Sequence, residues 1–460
     1  MSRTFRAADY DATLDVSVRL GDVLPPDHLA RFVADAVGQL DLSALYARYG
    51  PRGGAPYAPE VLLGLVVYGY ATGVFSSRKI ERATHESAPF RYLAGNMHPD
   101  HDTLAAFRRA VLPELPGLFV QVLLLARLAG VLQLGAISLD GPKLHADASK
   151  SKAVSYRRLG ELEAQYRREV AESLALGERA DREPLPEGLV VADEVALRQQ
   201  RLAKPAEAKA VLEARARERE AAEQAAYAAK VRERAERQRR TGKPPRGRPP
   251  QPPTPGPRPA DQFNFTDPES RIMKNSRDRG VDQDDHAQVA VDQASLLIVG
   301  ESVSNHPNDQ AAAGPTLDAI APAVGAPAAA ALDAGYFSAG NIAALERRGI
   351  APYIATGRDP HHPSWRERFA EEPAPPPADA SPAVRMAYKL RTALGKAIYG
   401  ARKSTVEPVI GVIKHPKGTR LGFRQFSLRG LQAAAGEWSL VCLAWNLKRL
   451  RVLRRGAVCP

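Results

Sequence analysis

Between Thr241 and Ala260 the chain reads TGKPPRGRPPQPPTPGPRPA, in which nine of twenty residues are proline. Proline fixes its own φ and has no N–H, so this segment cannot run through a helix interior or a central strand. It reads as an extended, disordered and basic linker. The residues before it also differ from the rest of the chain. AVSYRRLGELEAQYRREVAESLAL and VADEVALRQQ…AERQRR are rich in Ala, Glu, Arg and Gln and lack a dense apolar stripe. They predict two helices in a hairpin around DREPLPEG, with Pro205 breaking or kinking the second. Residues 151–262 therefore form an inserted arm, and the core must be built from what lies on either side.

At 460 residues the chain has room for two or three domains, and 44% apolar content supports a sizeable core. Net charge is +12 and the pI is near 9.7, which points to a polyanion, nucleic acid foremost. A membrane surface would attract the same charge, but no apolar run reaches the roughly 18–20 residues of a spanning helix. MSRTFRAADYDATLDV mixes acids with bases and does not read as a secretion signal. Cys442 and Cys459 make no disulfide framework or zinc site, which fits a reducing cytoplasm.

Up to about residue 115 the pattern is helical. LPPDHLARFVADAVGQLDLSALYARYG has apolar residues at helical spacing. Pro59 opens a second helix, Gly73 ends it, Ser76 or Ser77 caps SSRKIERATHES, and Asp102 or Thr103 caps HDTLAAFRRAVL. Short helices carrying Arg78, Lys79, Arg82 and Arg91 suit a helix-turn-helix-like DNA reader. The plainer reading is a helical bundle with solvated basic residues.

AISLDGPKLHADA predicts a strand ending in Asp140, then a turn at Gly141–Pro142, with Asp147 as a near neighbour. An aspartate there can present a metal ligand over a sheet edge or simply form the turn. HAQVAVD and SLLIVGESVSN predict antiparallel strands joined by Gln293–Ala294–Ser295, with Asp292 in a strand-turn role. AAAALDAGYFSAGNIAALERRGIAPYIATG predicts strand, turn, helix and strand. Asp333 ends the first strand, Gly335 permits a tight approach, Ser338 caps the helix and Gly349 closes it. That βαβ-type unit puts Asp333 at the carboxyl edge of a sheet, where open α/β sheets place their chemistry. His361–His362 lack a third ligand at zinc spacing and read as a solvated loop.

The last signal is YGARKSTVEPVIGVIK, in which Tyr399, Arg402, Glu407 and Lys414 share a helix-compatible run. Pro408 places Glu407 near a helix start or kink. Glu407 among Arg402, Lys403 and Lys414 suits a metal ligand beside a phosphate path, or else a solvated helix with ordinary ion pairs.

VEPVIGVIK and KGTRLGFRQFSLRGLQAAAGEWSLVCLAWNLKRL resemble the C-terminal block of insertion-sequence DDE transposases of the IS1182 type, with an IS4/IS5-like ending. PDHDTLAAFRR, TDPESR, LDG followed by Lys143, and Asp333–Tyr336 (DAGY) carry the resemblance through the chain. Two departures stand out. Arg402 and Glu407 are one residue further apart than in the broader signature, and Asp285–His286 replaces an aromatic–Asn pair.

The resemblance implies an α/β, RNase H-like catalytic core, a mixed sheet flanked by helices, with an all-helical N-terminal domain and the inserted arm. The divisions are 1–130, 131–150, 151–262 and 263–460. It implies Asp140, Asp333 and Glu407 as a DDE triad holding Mg2+ or Mn2+, two ions, for cleavage and strand transfer. Tyr399, Arg402, Lys414, Lys143 and Arg420 would contact DNA, with Arg78, Lys79 and Arg82 in the N-terminal domain. Lys417, Arg424 and Arg429 would extend that basic track. Partners would be element terminal inverted repeats, target DNA and a second copy of the chain, in the cytoplasm and without a membrane. The arm would bind a partner subunit, flank DNA, or be a solvated insertion. The alternatives are a metal-dependent nuclease without strand transfer and a domesticated DNA-binding protein that has lost catalysis.

Overall fold

A computed structural model describes residues 18–50, 55–180, 189–245, 247–274, 280–306, 308–357, 374–377, 379–415 and 421–458. The chain divides into two compact units, Met1–His145 with Asp285–Pro460, and Ala146–Asp284.

Among its described residues up to 128, the first unit has seven α-helices. These are α1 (Leu29–Val37), α2 (Ser43–Tyr46), α3 (Pro59–Thr72), α4 (Ser77–Glu86), α5 (Ala88–Leu93), α6 (His101–Val111) and α7 (Leu115–Leu128). Pro59 sits in the first turn of α3, and Gly73 ends it in the left-handed region at φ 83°, as the residue types dictate. α3 and α4 meet at 97° across a four-residue break. Asp100, not Asp102 or Thr103, caps α6, accepting the Thr103 N–H at 2.7 Å. The helical stretch His101–Leu128, with an 18-residue window of mean hydropathy 1.6, is long and apolar enough to cross a membrane by length and composition alone. It is not an uninterrupted apolar run, since Arg108, Arg109, Glu114, Gln121 and Arg127 lie within it. Leu115, Leu118, Phe119, Val122 and Leu123 on α7 are buried in the core, and α7 packs against the last helix.

The sheet of this unit contains β1 (Ala136–Asp140), β2 (Lys143–His145), β6 (Val281–Asp292), β7 (Ile298–Ser304), β8 (Ala329–Leu332) and β9 (Ala351–Ile354). β1, β8 and β9 run parallel, while β6 is antiparallel to β1 and to β7. All four residues of β8 are buried, as expected of a parallel strand covered on both faces. Asp292 takes the turn role: its Oδ2 accepts from Ser295 N (2.8 Å) and Oγ (2.7 Å). Between β8 and β9 runs α11 (Ala339–Arg347), capped by Ser338 at 3.0 Å from Asn341 N. The architecture is thus mixed α/β, a mixed sheet flanked by helices.

Among the described residues, the remaining helices of the unit are α10 (Ala313–Asp318), α12 (Pro382–Arg391), α13 (Ala393–Gly400), α14 (Val406–Lys414) and α15 (Leu431–Val458). The run Tyr399–Lys414 is not one helix: α13, a 3-10 turn at Ala401–Ser404 and α14 follow one another. From Gly436 to Leu447 α15 is buried all round, with Trp438, Leu440, Val441, Leu443 and Leu447 fully buried, the mark of a core helix. It packs on α3, α7 and β7. Trp438 Nε1 donates to Gln288 O at 2.9 Å, and Asn446 bridges both backbone groups of Ile298.

The second unit contains β3 (Ala153–Ser155), β4 (Gln262–Asn264), β5 (Arg271–Lys274), α8 (Tyr156–Ala180) and α9 (Val191–Thr241). β3 pairs with β4, and β5 with the first four residues of β6. The two helices pair as expected, although residues 181–188 lie outside the described part. Two expectations are corrected. α9 is not broken at Pro205, which is buried inside it, so packing offsets the lost backbone bond. The proline-rich segment is extended but docked: Arg234 donates to Pro245 O and Gly247 O, and Gly256 N to Glu220.

Candidate active site

Asp140 and Asp333 close neighbouring parallel strands. Leu139 is the register partner of Leu332, so the residues that follow occupy equivalent positions at the carboxyl edge, one strand spacing of about 4.8 Å apart. Their charges interact. Burial, opposed by Arg402 and aided by Asp333 and Asp309, raises the Asp140 pKa to about 6. Asp140 Oδ1 accepts from Gly141 N at 2.8 Å, and Asp333 Oδ1 from Gly335 N at 2.8 Å.

The cation over this edge is Arg402, whose Nη2 lies 2.8 Å from Asp140 Oδ2. Arg402 is buried, with Nε unpartnered and its guanidinium 5.7 Å from the Tyr399 ring. Burial works against its charge, but Asp140, Tyr399 and Asp333 together outweigh it and hold the pKa above the usual value. Ser138 lies two residues before Asp140, on the same face. Its Oγ sits 2.9 Å from Thr405 Oγ1, and Gln293 Nε2 ties it to the Ile398 carbonyl. These bonds hold the 3-10 turn and α14 against β1.

Glu407 is the second residue of α14, in the first turn beside Pro408, and is exposed. Val406, Val409 and Ile413 form the buried face of α14. Seven residues, close to two turns, bring Lys414 onto the stripe of Glu407. Lys414 Nζ donates to Lys143 O at 3.1 Å, three residues beyond Asp140. Among the described residues no group of three His, Cys, Asp or Glu is assembled to hold a metal ion.

Sequence reasoning missed Asp309. Its Oδ1 lies 2.9 Å from His286 Nε2 and 3.5 Å from Gln288 Nε2, and the Tyr336 hydroxyl donates to Gln288. An added Cβ on Gly335 would meet Asp309 Oδ2 at 2.7 Å and Asp333 Oδ1 at 3.1 Å, so both carboxylates flank that glycine. Burial disfavours the Asp309 charge, but His286, Gln288 and Lys143 outweigh it and hold its pKa below the usual range. The available signal was Asp285–His286 standing where the resemblance has another pair.

Arg78, Lys79 and Arg82 are exposed on α4, while Ile80 and Thr84 on the same helix are buried. Arg424 and Arg429 are exposed. Arg420, Lys417, His361 and His362 lie outside the described residues.

The fold and this edge define an α/β protein with paired aspartates at the carboxyl end of a mixed sheet, under a buried arginine. Residues 18–110 match the family model described as Transposase domain (DUF772), and residues 378–451 match the one described as Transposase DDE domain. The chain thus carries transposase domains on both sides of its arm, consistent with an IS1182-type transposase. No curated protein and no solved structure matches the chain.

Proposed function

We propose that this transposase binds the ends of an insertion sequence, cleaves the donor strand and joins it to target DNA at the edge formed by Asp140 and Asp333. The observation that carries the reading is their equivalent register on β1 and β8. In support, Asp140 is held near a pKa of about 6 by burial and by acidic neighbours. Two hard-oxygen donors whose charges oppose each other fit a divalent cation, Mg2+ or Mn2+. Asp140 and Asp333 would hold it, with Glu407 from α14 as the third carboxylate of an RNase H-like core. When bound, such ions lower the pKa of an attacking water or 3′-hydroxyl and stabilise the departing oxygen.

The protein's own groups supply the rest. Arg402 offers a planar fork of donors and Lys414 a point charge, both suited to backbone phosphate, with Tyr399 beside them. Lys143 and Arg420 would continue the DNA path. α3 and α4, at 97° across a short turn that starts with a glycine, have the proportions of a helix-turn-helix. Arg78, Lys79 and Arg82 on α4 then face the duplex, and two copies of the chain would pair two ends in the cytoplasm.

The test is incubation of the purified protein with element-end DNA, a target plasmid and Mg2+. Joined strands are expected, and Asp333→Asn should abolish cleavage while leaving the end-DNA gel shift largely intact. Undiminished nicking by that variant removes Asp333 from the site. Nicks that never yield joined strands end the strand-transfer reading.

A further inference from the structure

The charge of the arm is not spread evenly along it. Residues 156–229 carry thirteen Lys and Arg against fifteen Asp and Glu. Residues 230–248 carry nine Lys and Arg against two Glu, a surplus of seven out of +12 for the whole chain.

The pairing follows the same division. Elsewhere on the arm Lys209 pairs with Glu163, Arg198 with Glu169, Arg219 with Asp261 and Arg258 with Glu223. Within 230–248, among the described residues, no basic side chain is engaged in an ion pair. Lys230, Arg232, Arg237, Arg239, Arg240, Lys243 and Arg248 are all exposed.

The backbone makes these charges a built surface. Tyr156, at the start of α8, donates to Glu213 of α9, so α9 passes the base of the arm near residue 213 and continues. From Arg219, tied to Asp261, to Arg240 the helix extends about 30 Å at 1.5 Å per residue. The proline-rich segment then folds back along α9, fixed by Arg234, Glu220 and Arg219. That return places Lys243 and Arg248 beside the last turns of the helix. The tip is a rigid rod end with cations around it. Its partner should be a surface of closely and regularly spaced negative charge with no shape demand, which duplex DNA offers about every 1.7 Å of axis.

We propose that the distal end of the arm, residues 230–248, is a second DNA contact, separate from the acidic edge and from α4, that grips the phosphate backbone without reading sequence. This rests on the proposed action on DNA.

The experiment uses the full chain and a duplex of arbitrary sequence, measuring affinity against salt concentration. A tip variant replaces Lys230, Arg232, Arg239, Arg240 and Lys243 with Gln, which keeps helix propensity. A control variant makes the same change at Arg168, Arg179, Arg201, Lys204 and Arg217, exposed positions elsewhere on the arm. The salt slope of the tip variant should shrink by about 3–4, at about 0.9 per lost phosphate contact, and that of the control by less than about 1. Equal losses in both variants would show an effect of overall charge and overturn the proposal. An unchanged slope in the tip variant would also overturn it, and would leave an acidic protein as the tip's partner. A wild-type chain with no salt-dependent duplex binding would sink the DNA reading itself, and this inference with it.

Discussion

Arg402 Nη2 lies 2.8 Å from Asp140 Oδ2, across 262 residues of chain. The arginine is 7% exposed and the aspartate side chain 24%, so neither charge is fully hydrated. Removing one partner of such a pair leaves the other uncompensated. Arg402→Ala should therefore destabilise the protein by about 3 kcal/mol in urea unfolding at neutral pH. Adding Asp140→Asn should restore part of that loss. Two strictly additive losses would show that the pair has no coupling energy.

Glu301 on β7 accepts a hydrogen bond from Ser439 Oγ at 2.5 Å, and burial raises its pKa to about 7. Between the ordinary carboxylate range and pH 7 the folded state holds a proton that the unfolded state has released. Stability should therefore decline as pH rises through that window, by at most on the order of 3 kcal/mol. Glu301→Gln should remove the decline. The melting temperatures of the two proteins should be close at pH 5 and diverge by pH 8.5, the variant being higher; parallel curves would refute the assignment.

Glu437 on α15 is fully buried and accepts from Tyr70 Oη (2.6 Å), Ser427 N (2.7 Å), Ser427 Oγ (2.5 Å) and Leu428 N (3.2 Å). Glu437→Ala strands the buried Tyr70 hydroxyl and releases the Ser427–Leu428 backbone, and should cost about 1–3 kcal/mol. The segment Leu421–Gly430, which carries Arg424 and Arg429, should become the first site of limited proteolysis. Glu437→Gln, which keeps the shape, should lose less.

Gly73 has φ +83°, and a Cβ there would sit 2.8 Å from Leu421 O, a backbone atom that cannot step aside cheaply. Gly73→Ala should destabilise by about 1–3 kcal/mol through strain and that contact. Gly50→Ala, with nothing within 4 Å and no positive φ, should be near neutral. Thermal melts of the two variants separate strain from the general effect of adding a methyl.

Much of this fold is local in origin and was readable in advance. Pro59, Gly73, Ser338 and Gly349 punctuate helices because each restricts or frees the backbone at its own position. The ends of β1 and β8 were legible for the same reason, in short apolar runs stopped by LDGP and LDAGY. Failures fell where a distant contact overrode the local rule. Pro205 is buried inside a continuous α9, and the proline-rich segment is held against that helix by Arg234 and Glu220. Asp309 had no motif; only its bond to His286, twenty-three positions earlier, marks it.

The sequence by itself determined which stretches become helix or strand, where they stop, and that two aspartates stand at strand ends, because sterics and hydrophobic period act over a few residues. Only the tertiary structure decided that β1 and β8 are neighbours in register, that Arg402 covers Asp140, and that Glu437 ties α15 to Tyr70. Strand pairing and burial of charge are contacts between residues hundreds of positions apart. Their energies depend on which surfaces meet once the chain has folded, and no local pattern encodes that choice.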